Sequence, residues 1–348
     1  MSGQKVLIIG GGVAGTTLAK ELSKGKQPAS ITLVEPKEYF EVPFAQLRGL
    51  TDPKGFAQEI RKPLVDLLPD VNIVQGRASG FDEQAVTLEN GTSIPYDWLV
   101  LATGSSFGQW PFLNGNETTI SERMSSFHKY GRELSDAKSI LIIGGGPVGV
   151  ELAGEIKSKW PEKDLVLIQG GDRLLDQLSE KMSQRAESVL AEMGVQVETG
   201  KMLLRDANNT WKDSSGKNYN ADLVIPAVGI DLNTDWISGV EKTERGALIV
   251  DLDLRLKNFK NVFAIGDIND VPEIKIGALA VQQAKLTAKN LQRLITDYDT
   301  ELKSYKPSSP VSLVTLGWKK GAVQIPFGHP HFLAFLKQKD LLVSNYLK

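Results

Sequence analysis

Two unbroken apolar runs, Val6-Leu7-Ile8-Ile9 and Ile140-Leu141-Ile142-Ile143, anchor the hydrophobic pattern of this chain. Short runs without polar alternation predict strands covered on both faces, as in a parallel sheet. A second strand comes after each run: Ile31-Thr32-Leu33-Val34-Glu35 after the first, residues 165–168 after the second. Leu178, Met182, Ala186, Val189 and Met193 then share one helical face, which Gly194 ends. Residues 71–78 and 85–88 read as strands of an antiparallel excursion, with Asn90-Gly91 as a turn. Leu252, Leu254 and Leu256 alternate with period two ahead of Asn261-Val262-Phe263-Ala264-Ile265-Gly266-Asp267. Ala280, Ala284 and Ala288 give the next helix a small face suited to close packing. Beyond a linker-like break at 307–310, residues 311–316 and 322–325 predict a hairpin around Lys319-Lys320-Gly321, with a helix from Phe332.

The pattern also repeats. Residues 91–104 align without gaps with residues 216–229. Each segment opens on a turn glycine, places an aspartate (Asp97, Asp222) before an apolar strand and stops at a small-residue turn. Each lies well downstream of one of the two apolar runs, which points to duplication of one plan. The expected fold is therefore α/β, with two Rossmann-like domains and a small C-terminal α+β appendage. Residues 242–297 are placed back in the first domain, which makes the second an insertion.

Glycine-rich turns directly after the two apolar runs give the plan a chemistry. Gly10-Gly11-Gly12-Val13-Ala14-Gly15 and Gly144-Gly145-Gly146-Pro147-Val148-Gly149 both fit G-x-G-x-x-G between a strand and a helix. Such glycines permit a tight turn and let the backbone approach a pyrophosphate at the helix N-terminus. Two fingerprints imply two dinucleotides, most economically a flavin and a nicotinamide. Glu35 closes the second strand of the first copy and is placed to bond a ribose. The second copy ends the corresponding strand in Gln169-Gly170-Gly171. An acid there would repel the extra phosphate of NADPH. Its absence leaves NADH and NADPH both open, and Arg173 stands nearby to favour the phosphate.

Composition narrows the chemistry further. The chain has no cysteine, which excludes disulfide reductases, thiol peroxidases and cysteine-dependent sulfide oxidation. Its three histidines argue against a His-rich metal site, and no metal is expected. A net charge of −2 argues against a broad nucleic-acid-binding face. Residues 301–348 hold seven lysines and two acids, so that stretch carries +5 and the remainder −7. A basic, aromatic-bearing tail on an acidic body suits an anionic or amphipathic surface. No run of 18 apolar residues exists for a membrane span, and the first strand begins too early for a signal peptide. The chain opens Met1-Ser2-Gly3, with serine at the second position, where an N-myristoylation motif requires glycine. A cytoplasmic protein, peripheral on a membrane at most, is expected.

With Gly266-Asp267 added, the chain resembles the two-dinucleotide-binding flavoproteins. Within them it is similar to type II NADH:quinone oxidoreductases and apoptosis-inducing-factor-like proteins, in the branch that includes the ferroptosis suppressors. The resemblance runs from Lys5 to about Ser344. Its motifs are the two fingerprints with Glu151, Lys37-Glu38-Tyr39-Phe40, Leu47-Arg48, Leu101-Ala102-Thr103-Gly104 and Phe263 to Asp267. Tyr305-Lys306-Pro307 and Lys337-Gln338-Lys339-Asp340-Leu341 extend it into the tail. The ferroptosis suppressors carry the acylation signal that is missing here.

This resemblance implies FAD on the first copy (1–112 and 242–297) and NADH or NADPH on the second (113–241), with 298–348 as a hairpin-helix appendage. FAD contacts are implied for Gly10, Gly11, Gly12, Val13, Ala14, Gly15, Glu35, Arg48, Thr103, Gly104, Gly266 and Asp267, and for the main chain of Ala78. NAD(P)H contacts are implied for Gly144, Gly146, Gly149, Glu151 and Gly229. Asp267 is expected on the ribityl chain, Glu151 beside the nicotinamide–flavin stack, and Lys337 near the flavin, where a cation stabilises its anionic reduced form. The implied reaction carries hydride from NAD(P)H to flavin and electrons on to a quinone. A small redox protein or monodehydroascorbate is the alternative acceptor. A redox-sensing flavoprotein, whose reduced form mainly changes its partners, is the reading from another class.

Overall fold

The computed structural model describes residues 3–25, 29–107, 109–206, 210–308 and 311–348. Met1 and Ser2, where an acylation signal would lie, and Ser309 and Pro310 of the expected linker fall outside them. Strand β1 (Gln4–Ile9) runs parallel between β2 (Ala29–Glu35) and β9 (Trp98–Leu101). Strand β5 (Asn72–Gln75) extends the β2 side and β19 (Val262–Ala264) the β9 side, giving the order β19-β9-β1-β2-β5. The unbroken apolar run is needed because both faces are covered. Val6 and Ile8 join one core with Leu18 of helix α1 (Val13–Ser23) and the alanine face of helix α8 (Gly277–Thr296). Leu7 and Ile9 join another core with Val86 and Leu88 of a three-stranded antiparallel sheet, β6 (Ala78–Phe81), β7 (Ala85–Leu88) and β8 (Ser93–Pro95).

The second sheet repeats the first. Strand β11 (Ser139–Ile143) lies parallel between β12 (Asp164–Ile168) and β17 (Leu223–Pro226), with β13 (Val195–Glu198) outside β12. Helix α6 (Pro147–Lys159) follows β11 as α1 follows β1, and helix α7 (Glu180–Glu192) precedes β13. A three-stranded antiparallel sheet recurs as β14 (Leu204–Arg205), β15 (Trp211–Lys212) and β16 (Asn218–Tyr219). The aligned aspartates do the same work in both copies. Asp97 accepts from the Lys5 N–H at 2.6 Å, and Asp222 from those of Lys138 and Ser139 at 2.8 and 2.9 Å. Each ties the start of its last strand to the start of its first. The chain passes between the sheets through a ribbon of β10 (Ser105–Ser106) and β18 (Asp231–Leu232).

Four local expectations need correction. Residues 71–78 are not one antiparallel strand: β5 pairs parallel with β2, and only β6 onward forms the excursion, because the chain turns at Gly76 from one sheet to the other. Leu252, Leu254 and Leu256 do not share a strand face. Leu254 and Leu256 are buried and Leu252 is exposed, since a turn from Asp251 to Leu254 puts Leu254 at φ +70°. The hairpin exists as β20 (Ser312–Leu316) and β21 (Lys320–Gln324), but it turns earlier than expected, through Gly317 at φ +71°. Lys320 and Gly321 sit inside β21. The helix expected from Phe332 is a 3-10 turn (His331–Ala334), a single α-turn α9 (Phe335–Gln338) and, after left-handed Leu341 and Leu342, a last turn α10 (Val343–Tyr346). Helix α2 (Gln46–Thr51) and helix α5 (Ile120–Asp136) complete the setting of the site; the single turns α3 (Leu64–Leu67) and α4 (Pro111–Asn114) lie between them in sequence.

Candidate active site

Each fingerprint glycine is required for its own reason. Gly10 and Gly144 have φ of +110° and +115°, and a Cβ there would lie 2.4 and 2.5 Å from the carbonyl oxygens of Ala102 and Ala227. At Gly15 and Gly149 a Cβ would come within 1.9 Å of the carbonyl of Gly10 or Gly144, so these two let helix and strand touch. Gly12 and Gly146 differ. Their φ values of −75° and −72° suit any residue, and a Cβ at either would meet nothing within 4 Å. That space opens at the start of α1 and α6, neither of which has a side-chain cap. Free N–H donors facing a gap that only glycine preserves fit a pyrophosphate in both copies. Val13 and Ala14 form the first turn of α1; Gly266 (φ +82°) would bring a Cβ to 3.3 Å from that of Ala14, so the Gly266-Asp267 turn abuts the same helix start.

The carboxylate expected on a ribose is positioned from within. Glu35 Oε2 accepts from the Gly11 N–H at 2.6 Å. In the second copy Gln169 Oε1 accepts from the Gly145 N–H at 2.9 Å, so an amide occupies the place of the acid. Its Nε2 donates to Asp176 Oδ2 at 3.1 Å. Arg173, expected to favour a phosphate, is bonded to the carbonyls of Leu175, Asp176 and Leu178. Asp267 accepts from Ser105 Oγ at 2.6 Å, and the Gly266 N–H donates to buried Gln283 at 2.8 Å. Thr103 and Gly104 are clamped to Asn233: Thr103 Oγ1 donates to the Asn233 carbonyl, and the Asn233 N–H donates to the Gly104 carbonyl at 3.0 Å. Gly104 and Gly229 both take positive φ, at +65° and +80°. Ala78 is buried at the start of β6.

Glu151 and Lys337, 186 residues apart, meet. Lys337 Nζ donates to Glu151 Oε1 at 2.5 Å and to the Leu313 carbonyl at 3.1 Å. The same Glu151 oxygen accepts from the Thr315 N–H and hydroxyl at 2.9 and 3.1 Å. One turn along α6, Glu155 takes the Arg48 guanidinium (Nη2 at 2.9 Å) and the Trp318 indole N–H (3.0 Å). Arg48 Nη1 donates to the Gln338 carbonyl at 2.7 Å. Sequence reasoning expected Arg48 on the flavin; its guanidinium closes this network. Burial pushes the Glu155 carboxyl up, against the pull of Arg48. Two acids from α6, an arginine from α2 and a lysine from α9 thus form a buried cluster without net charge. Glu155 and Thr315 escaped the sequence reading, and Trp318 entered it only as one of the aromatics of the basic tail. Glu155 alone had a signal there, as a second acid one turn beyond Glu151 in a stretch that is otherwise apolar from Pro147 to Ile156.

The pyridine nucleotide-disulphide oxidoreductase family matches residues 4–284, and the chain belongs to that family. It is 31% identical to apoptosis-inducing factor homolog B of Dictyostelium discoideum, over 99% of this chain and 96% of that one. It is 30% identical to ferroptosis suppressor protein 1 of Homo sapiens, over 99% and 95%. The fold is shared with NDH2 of Plasmodium falciparum, solved in complex with NADH, with a TM-score of 0.78, 14% identity and coverage of 96% and 93%. The family is named for a disulphide, yet this chain has no cysteine. It is an oxidoreductase of the family that works without protein thiols. Among the described residues no helix is long and apolar enough to cross a membrane, and no His, Asp and Glu group could hold a metal.

Proposed function

We propose that the chain is an FAD-dependent enzyme that oxidises NADH or NADPH and reduces a quinone-type acceptor. The observation that carries this reading is the pair of glycine cradles, each open at an uncapped helix start, with the buried Glu151–Lys337 pair beside the second. When bound, FAD and the nicotinamide coenzyme supply the hydride and electron transfer that no side chain here can perform.

The residues do the rest. N–H groups at the start of α1, with Gly10, Gly12 and Gly15, hold the FAD pyrophosphate; Glu35 and Asp267 bond its hydroxyls. Gly144, Gly146 and Gly149 hold the NAD(P)H pyrophosphate, with Gly229 at the crossing turn. Lys337 brings its ammonium to a buried place where negative charge develops on reduction, fixed by the Leu313 carbonyl and by Glu151, which Thr315 holds in turn. In the net reaction a quinone gains two electrons and two protons. The coenzyme gives both electrons and one proton as hydride, and the second proton comes from solvent.

The division into an FAD unit (1–112 and 242–297), an NAD(P)H unit (113–241) and an appendage (298–348) follows from this reading. So does contact of the appendage with a membrane surface, where lipid quinones are reached. Purified protein should be yellow, with one FAD per chain, and should oxidise NADH or NADPH with menadione or decylubiquinone. Colourless protein, or yellow protein that turns over with neither quinone, overturns the reading.

A further inference from the structure

The chain's last described segment is held to the front of the first unit by contacts that play no part in the proposed reaction. Lys20, in the last turn of α1, donates to the main-chain carbonyls of Tyr346 and Lys348, both at 2.9 Å. Lys62, on strand β4 (Arg61–Pro63), donates to that of Leu347 at 3.3 Å. Burial and the nearby Lys62 lower the pKa of Lys20. Two lysines brought together at such cost secure three consecutive residues by their backbones, so the clamp fixes the path of this segment whatever its side chains.

What the clamp places is an aromatic ring. The Tyr346 ring stacks on Phe40 of strand β3 (Tyr39–Glu41) at 6.3 Å between centroids and lies 5.5 Å from Phe44. Phe44 is seated on Gly277, the first residue of α8, where a Cβ would come within 2.4 Å of the ring. The Lys337 ammonium lies 5.8 Å from the same ring. Lys337 therefore has Glu151, on the helix of the second fingerprint, as one neighbour and Phe44, against which Tyr346 packs, as another. The coenzyme belongs with the second fingerprint and the flavin with the first, which leaves the half-buried side of Phe44 and Tyr346 to the acceptor. Tyr346 is half-buried, and its hydroxyl is not what holds it: the main-chain clamp is. A partly open aromatic wall, with Tyr346 stacked on Phe40 and tilted to Phe44, near a buried cation suits a flat, electron-poor ring that becomes anionic on reduction.

We infer that Tyr346 is a specificity-determining residue for the acceptor: residues 343–348, strapped down by Lys20 and Lys62, wall the approach of the quinone and limit its bulk. The inference rests on the proposed quinone reductase activity. Its test compares menadione, small, with decylubiquinone, which bears a long side chain, in the FAD-loaded wild type and in Tyr346→Ala, Tyr346→Phe and Lys20→Met. Tyr346→Ala and Lys20→Met should raise the kcat/KM ratio of decylubiquinone to menadione at least fivefold. The KM for the nicotinamide coenzyme and the anaerobic rate of flavin reduction should stay within twofold. Tyr346→Phe keeps the ring and should keep the wild-type ratio. Independently of turnover, decylubiquinone added to oxidised wild type without coenzyme should slow hydrogen exchange in residues 343–348. An unchanged quinone ratio in both Tyr346→Ala and Lys20→Met, with no exchange protection, overturns the inference while leaving the activity standing. Absence of turnover with either quinone in the wild type overturns the activity and the inference together.

Discussion

At the scale of single residues, the two fingerprints separate glycines that hold the fold from glycines that make room. Gly12→Val and Gly146→Val place a side chain in open space at an allowed φ, so both variants should fold, with the wild-type melting temperature when all three are compared free of flavin. Gly12→Val should lose its flavin absorbance. Gly146→Val should keep the flavin and lose reduction by NAD(P)H by more than tenfold in stopped flow. The reverse pattern would mean that the cofactors occupy the opposite copies. Gln169 allows a subtler test, because its amide already stands where Glu35 stands in the first copy. Gln169→Glu should keep the bond from the Gly145 N–H and shift the NADH/NADPH ratio of kcat/KM toward NADH by about 1–3 kcal/mol. Its new carboxylate would face Asp176, 3.1 Å from the present amide. Adding Asp176→Asn should therefore enlarge the shift, and an unaltered ratio in both variants would place this strand end away from the ribose. The glycine positions were legible in the sequence because their spacing is fixed by backbone geometry. The destination of Arg48 was not, because a long side chain on a short helix reaches several partners and only tertiary packing selects Glu155.

At the scale of elements, one buried ion group shows how α5 is docked. Glu41 of β3 accepts from Arg61 of β4 (Nε at 2.8 Å) and from Arg123 of α5 (Nη2 at 2.9 Å), and all three side chains are buried. Arg61 and Arg123 lie 4.7 and 4.8 Å from the Phe127 ring, so the cations are packed as well as paired. Burial alone would raise the Glu41 pKa, but the two guanidiniums outweigh it and hold the carboxyl below its usual range. A depressed folded-state pKa gives stability that is complete above the unfolded value, near about 4.3, and is lost as pH falls through the folded value. Glu41→Gln should cost about 3–5 kcal/mol at pH 7 by urea denaturation, because it strands two buried cations. Its stability should also fall less steeply than wild type below about pH 4. Equal acid limbs would show that Glu41 does not titrate in this window. Sequence reading recovered the parallel strands, whose apolar runs are long and uniform. It misplaced the hairpin turn and the Leu252 stretch, where φ-positive Gly317 and Leu254 reverse the chain against the local pattern. This triad went unseen, since its members are scattered over 82 positions and carry no shared spacing.

At the scale of the whole molecule, the duplication was the most legible feature, because aligned aspartates and glycines do matching work in both sheets. The outward face of the appendage was less so. Of the aromatic and apolar residues in the tail, Phe327 is 99% exposed, Phe332 75%, Phe335 57% and Leu336 54%. Trp318 is drawn toward Glu155 by its indole N–H, and Lys320 is paired with Glu192. A bland account, in which these aromatics merely pack the appendage onto the body, covers the indole N–H of Trp318, which is still 45% exposed, and fails for Phe327. Four large apolar side chains within ten positions, flanked by exposed Lys319 and Lys339, match the composition of a lipid headgroup boundary. Cations near an anionic surface each contribute about 1 kcal/mol, screened by salt, whereas inserted rings are not screened. The protein should therefore sediment with vesicles of phosphatidylserine and phosphatidylcholine at low salt, less so at about 0.5 M salt, and weakly with phosphatidylcholine alone. Lys319→Glu with Lys339→Glu should remove the salt-sensitive part. Phe327→Ser with Phe332→Ser should remove the remainder while leaving menadione turnover within twofold, since neither ring touches the Glu151–Lys337 site. Binding that survives both pairs of substitutions, or no binding to either vesicle, would show that this face meets something other than a membrane.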